Sequence, residues 1–294
     1  MSRRDLGLVL VFVAAAGLLL LWMDKDPPPP EPTGVLLRDQ VFFASDDGSL
    51  VLTLVVQREK RDAKALIEVK TFAVLDRSWQ SPLYETVQLE RWPGSGAGAA
   101  LEAWAEERPG PPLRLSWEEG VGLRAELRSA AGLLRLDLPE LEAAGEGEDP
   151  HGPLRWRAGR GSATLDDRSF EGVAIHELLD GQTAIPSFGR FELWVLRPPG
   201  GGLVLGRASL PEPGRALVVD PSGDSSMADF QVEPGDTDPL SWSLRVGEEL
   251  ASLAWLEGSE SEGLGPDGQP ARYAIGHVEG DGRGLVFHLE DGAR

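Results

Sequence analysis

The chain has 294 residues, of which 41% are hydrophobic, enough for one large or two ordinary packed domains. Its 48 acidic and 28 basic residues give a formal net charge of -20, which repels phosphate backbones and excludes a general nucleic-acid-binding role. Cysteine is absent, so disulfides, thiol catalysis and thiolate metal sites are excluded as well.

The first predicted element is the uncharged run from Leu6 to Met23, preceded by Arg3 and Arg4. As a helix it reaches about 27 Å, close to the hydrocarbon thickness of a bilayer. The arginines favour the cytoplasmic side and Trp22 suits the far interface. Residues 1–23 are therefore expected to be an N-terminal transmembrane anchor, with the bulk of the chain outside the cytoplasm. A cleavable signal peptide is the alternative, but the run ends in "LLLLWM" without the small residues that cleavage needs. Residues 24–34, "DKDPPPPEPTG", predict a stiff polyproline spacer. Beyond Lys70 every basic residue other than histidine is arginine, the bias of a GC-rich, bacterial genome. The expected location is thus a bacterial inner membrane, single-pass, facing the periplasm.

From Val35 onward short apolar segments alternate with turn residues. "VLLRDQVFFA", Asp46-Asp47-Gly48 and "SLVLTLVVQ" read as a hairpin. "VQLER" and "LRAEL" alternate apolar and polar residues, the pattern of a sheet with one wet face. Leu101–Arg108 and the start of "PELEAAGEGED" are the only helix candidates. The acidic, Gly- and Pro-rich stretch ending at Pro153 predicts a linker, placing a first β domain at 35–150 and a second at 151–294. In the second part, strands recur every ten or so residues, as in a barrel or sandwich. The predicted class is all-β: two antiparallel barrel or sandwich halves behind the anchor.

Three groups of residues carry candidate chemistry. His176 and Glu177 are adjacent in the predicted strand "SFEGVAIHELL", after a turn at Asp166-Asp167-Arg168, so their side chains point to opposite faces. Glu177 shares its face with Val173, Ile175 and Leu179, where a buried carboxyl would have the raised pKa a general acid needs. At the carboxyl end, a two-residue loop at Gly282-Arg283 would set His277 opposite His288, an arrangement able to share a metal or titrate as a pair. Trp156, Trp194, Trp242 and Trp255 could line a cavity for an apolar ligand, although core packing accounts for tryptophans equally well. Phosphate-cradling loops and the G-x-S-x-G elbow are missing, and no cofactor is implied.

"LRWRAGRGSATLDDRSFEGVAIHELL" and "FGRFELWVLRPPGGGLVLGRASL" together resemble the lipocalin-like AttH and carotenoid 1,2-hydratase families over about residues 150–210. Gly172, Ala174, His176, Glu177 and Trp194 fall near the matching positions, whereas Leu178–Gly181 replace the families' H/E-x-W-G ending. The resemblance implies two lipocalin-like halves, an affinity for lipid or isoprenoid-like molecules, and the company of an ABC-type lipid or lipoprotein permease. Non-enzymatic binding of an apolar ligand is the leading functional expectation. The alternatives are a hydratase or hydrolase using Glu177 and His176, and a non-catalytic interaction module of the cell envelope.

Overall fold

The computed structural model describes residues 35–61, 64–89, 101–103, 113–118, 121–129, 132–149, 151–182, 190–210, 213–234, 241–264 and 270–291. The expected anchor and spacer lie outside them. Among the described residues no helix is long and apolar enough to cross a membrane.

Every regular element described is a strand. The first ten are β1 (Val35–Ser45), β2 (Leu50–Arg61), β3 (Lys64–Leu75), β4 (Ser78–Leu89), β5 (Leu101–Ala103), β6 (Leu113–Glu118), β7 (Gly122–Ser129), β8 (Gly132–Asp149), β9 (Gly152–Leu165) and β10 (Arg168–Gln182). They form one antiparallel sheet in the order β4-β3-β2-β1-β10-β9-β8-β7-β6-β5, curled into a half-barrel. Its pivot is the pairing of β1 with β10, from Val35 opposite Gln182 to Ser45 opposite Gly172. The last eight strands are β11 (Arg190–Arg197), β12 (Leu203–Leu210), β13 (Gly214–Val219), β14 (Ser225–Pro234), β15 (Ser241–Val246), β16 (Glu249–Leu264), β17 (Pro270–Gly280) and β18 (Gly282–Asp291). They run up and down in sequence and close into a barrel where β18 returns to β11.

Burial follows from this stacking. The strand period is two, so a strand covered on both sides needs apolar residues at nearly every position. β1 is such a strand: all but Val35 and Arg38 are buried along its length. One set (Val41, Phe43) faces the concave side of the half-barrel with Leu50, Leu54, Ile67 and Ala174. The other set (Leu36, Phe42, Ala44) faces the closed barrel and meets Leu193, Val195, Leu205 and Leu285. A third core fills the closed barrel around Trp194, Phe230, Trp242 and Leu244.

The expected turns at Asp46–Gly48, at Asp166-Asp167 and at Pro198–Gly202 separate β1 from β2, β9 from β10 and β11 from β12. Other expectations change. The stretch read as a linker and incipient helix is the outer half of β8, an 18-residue strand. Its Ala, Leu and Glu residues favour helix locally, but pairing with β9 through two register shifts overrides that preference. The change of sheet accordingly falls between Gln182 and Arg190 rather than at residue 150. The start of the other helix candidate, Leu101–Ala103, is strand β5; its remainder lies outside the described residues.

Candidate functional site

β10 runs through the middle of the half-barrel and separates two buried environments. Its even positions, Phe170, Ala174, His176 and Leu178, face the concave side; its odd positions, Val173, Ile175, Glu177 and Leu179, face the closed barrel. His176 and Glu177 are both buried, 0% and 1% exposed. They serve different interiors, as the strand period requires.

On the concave side His176 is joined by two residues from the neighbouring strands. Its Nε2 lies 3.1 Å from Asp39 Oδ1 on β1, and Asp39 Oδ2 accepts a hydrogen bond from Arg58 Nη2 on β2. Burial alone would raise the Asp39 carboxyl, but the hydrogen bond from His176 and the charge of Arg58 outweigh it and hold the pKa below the ordinary carboxylate value. An ionised carboxylate only accepts, so the bonded nitrogen, Nε2, carries the ring proton. Nδ1 is then the basic nitrogen of the neutral imidazole. It is buried and has no hydrogen-bond partner.

Other polar atoms on this face are in the same condition. Arg58 is 2% exposed, yet its Nε and Nη1 meet no acceptor, and the same holds for Thr71 Oγ1 and Trp117 Nε1. Thr71, Leu54, Val41, His176 and Arg157 stand in one row across five strands. The Arg157 guanidinium lies 4.1 Å from the centre of the Trp117 ring, bringing the far edge of the half-barrel over the row. Buried polar atoms normally find partners, and several without one gathered on the concave face mark it as the candidate place for meeting something polar.

Sequence reasoning identified His176 but missed Asp39 and Arg58. Their signal was present: Asp39 shares parity with Leu37, Val41 and Phe43, and Arg58 with Leu50, Leu52, Leu54 and Val56. A charge at an apolar parity position is costly unless paired or used.

Glu177 does not sit alone among apolar residues. It accepts hydrogen bonds from Trp156 Nε1 at 2.7 Å, from Arg207 Nε at 3.0 Å and from Arg207 Nη2. Arg207 belongs to β12 of the closed barrel, so this pair bridges the two sheets. Asp149, at the end of β8, extends the bridge by accepting from Arg207 Nη1 at 3.1 Å and from Arg38 Nη2 at 2.8 Å. Although burial opposes ionisation of Asp149, Arg38 and Arg207 together push its pKa well below the ordinary range. With two carboxylates against two guanidiniums, the cluster is a charge-balanced clamp. Glu177 is fully engaged there.

The remaining candidates are separated. Trp156 belongs to the intersheet clamp, whereas Trp194 and Trp242 are 0% and 5% exposed inside the closed barrel, their ring centres 5.2 Å apart. Trp242 and Trp255 follow at 6.4 Å. Trp194 Nε1 donates to the buried Glu192 at 2.9 Å, and His288 Nδ1 lies 3.2 Å from the other oxygen of that carboxylate. His277 does not face His288. The hairpin turns at Asp281 with Gly280 opposite Gly282, so His277 pairs with Leu285 and His288 with Ala274. The expected register is off by an odd number of residues, which puts the two rings on opposite faces. His288 points into the barrel; His277 lies on the outer face with Ile275 and Leu285. Among the described residues no group of three or more His, Cys, Asp or Glu could hold a metal ion.

No family model matches the sequence, and no curated protein does. Among solved structures, the chain is similar to kievitone hydratase from Nectria haematococca at 12% identity and a TM-score of 0.49, covering 90% of this chain and 91% of that one. It is similar to an AttH-like protein of Nitrosomonas europaea at 11% identity and a TM-score of 0.48, covering 89% and 93%. A third similar structure is that of CghA, at 10% identity and a TM-score of 0.44, covering 90% and 93%.

Proposed function

We propose that the chain binds an apolar small molecule in the concave face of the half-barrel and moves a proton on it, as an enzyme of the hydratase type. The observation that carries this reading is His176: Nε2 is fixed to an ionised Asp39 and Nδ1 is buried without a partner. That arrangement orients an imidazole, fixes its tautomer and stabilises the imidazolium that forms when Nδ1 takes a proton. The proton would come from a water attacking the substrate, or from a carbon beside a carbonyl. Val41, Leu54, Val56, Ile67 and Val69 supply an apolar wall, where burial of a hydrocarbon body drives binding. Glu177 has no part in the chemistry in this reading; it holds the sheets together. A tether formed by residues 1–23 would keep the trough beside a membrane, where such substrates partition. A lipid-handling permease as its companion belongs to the same proposal.

The test is to incubate the full chain with a bacterial isoprenoid and lipid extract in water enriched in oxygen-18. Protein-dependent products that gain labelled water are sought by mass spectrometry. His176→Gln is expected to lower their formation by about a hundredfold or more, the usual loss on removing a general base, while ligands still co-purify. Ligand retention without conversion would make the chain a carrier. Equal conversion by His176→Gln would refute the assignment.

A further inference from the structure

We infer that the molecule bound in the half-barrel carries a carboxylate, received by Arg58. This deepens the proposed function and rests on the same trough, though not on any conversion taking place there. Three observations lead to it. First, Arg58 lies at the buried end of the apolar face of β2, 2% exposed, and only Nη2 of its three guanidinium nitrogens is bonded. A guanidinium stripped of water with hydrogens left on Nε and Nη1 is costly, and an anionic oxygen acceptor relieves that cost. Second, two other unpartnered groups of this face are also donors or can act as such: Trp117 Nε1 donates only, and the Thr71 hydroxyl donates or accepts. Third, half-buried Arg157, which pairs with His176 across β9 and β10, adds a second cation to the same face, and cations favour an anionic partner. Around this polar floor stand aliphatic side chains, so the partner is an amphiphilic acid: a hydrocarbon body ending in a carboxylate.

Asp39 accepts from Nη2 of Arg58 and lies 3.1 Å from Nε2 of His176, so an acid group held by Arg58 and the candidate base share one face of the half-barrel.

The experiment uses the full chain and photoreactive, diazirine-bearing palmitate, with its methyl ester as the matched neutral probe. After irradiation, labelled peptides are mapped by mass spectrometry. The acid is expected to label β1, β2 and β10 peptides at least about tenfold more than the ester, the scale of one charge-assisted hydrogen-bonded contact. Arg58→Gln is expected to reduce acid labelling to the level of the ester, and Arg58→Lys to restore part of it. Equal labelling of wild type by acid and ester overturns the inference without any variant, as does the absence of labelling in the half-barrel. A preference for the acid that survives Arg58→Gln also overturns it. The outcome separates the two readings: acid labelling that depends on Arg58, with conversion unaffected by His176→Gln, would uphold the carboxylate and reject the proton transfer.

Discussion

His176 and Glu177 are consecutive residues of one strand, and the first closes a hydrogen bond within the half-barrel while the second closes an ion pair between the half-barrel and the closed barrel. Nε2 of the histidine meets Asp39 on β1; the carboxylate of the glutamate meets Arg207 on β12. A single peptide bond thus connects the candidate chemistry to a buried ion pair between the two sheets.

Removing one partner of the intersheet clamp should therefore cost stability rather than chemistry. Arg207→Leu leaves Glu177, 1% exposed, facing Trp156 and the more distant Arg38. Breaking a buried pair in this way costs about 3–5 kcal/mol. The double variant Glu177→Leu with Arg207→Leu is expected to recover much of that loss, because no unpaired charge remains of that pair. Urea denaturation of wild type, both single variants and the double variant provides the cycle. Additive effects would show that the two residues do not act as a pair.

Acid should open the same clamp. Asp149 has a folded-state pKa below the ordinary carboxylate value because Arg38 and Arg207 outweigh the effect of burial. A depressed carboxylate contributes stability that is complete above its unfolded pKa, near 4, and is lost as pH falls through the folded value. Asp39 acts with the same sign, its bonds to His176 and Arg58 overcoming burial. Stability should drop below about pH 4, and Asp149→Asn should be less stable at neutral pH with a shallower acid limb. Thermal unfolding followed from pH 7 to pH 2 reads both effects.

His277 gives a second pH dependence in a milder range. Burial lowers its pKa below 6.5, opposed by Glu279, reinforced by Arg283 and opposed again by Glu257. The unfolded chain therefore binds a proton before the folded one does, and stability falls as pH drops below about 6.5. Since Nε2 is buried without a partner, His277→Leu removes both the titration and an unpaired polar atom. The variant should lose this slope and be more stable than wild type near pH 5. An unchanged slope between pH 7 and pH 5 would locate the titration elsewhere.

The closed barrel should resist even small additions. A Cβ at Gly276 would fall 2.3 Å from the Trp255 ring, and one at Gly206 would fall 2.4 Å from the Phe230 ring. Overpacking of this kind costs about 1–3 kcal/mol. Gly276→Ala is expected to lose that amount, and combining it with Trp255→Leu should restore part of it. Denaturant midpoints for the two single variants and the double variant settle the matter.

Strand identity was legible in the sequence wherever one side of a strand is wet. "LRAEL" and the turn residues Asp46–Gly48 and Pro198–Gly202 each announce their local structure, because alternation and turn chemistry are short-range signals. The outer half of β8 was not legible. Its glutamates and alanines carry no β preference of their own, and only β9, which lies next to it in space, makes them a strand. The His277–His288 pairing failed for a related reason: the loop position of a glycine-rich hairpin decides the register, and "EGDGRG" offers several. For the candidate site, the opposite orientations of His176 and Glu177 follow from parity alone. Asp39 and Arg58 were visible only as charges out of place, and their meeting with His176 depends on pairings that join residues 137 positions apart.

The pairing of β1 with β10 also sets the order in which the molecule can assemble. Val35 finds its partner at Gln182, so the half-barrel gains its central seam only after most of its length has left the ribosome. Until then β1, apolar on both sides, has only its neighbour β2 to pair with, and its other edge stays open. Contacts so distant along the polypeptide slow folding, and the wait leaves an apolar strand open to wrong partners until its own arrives.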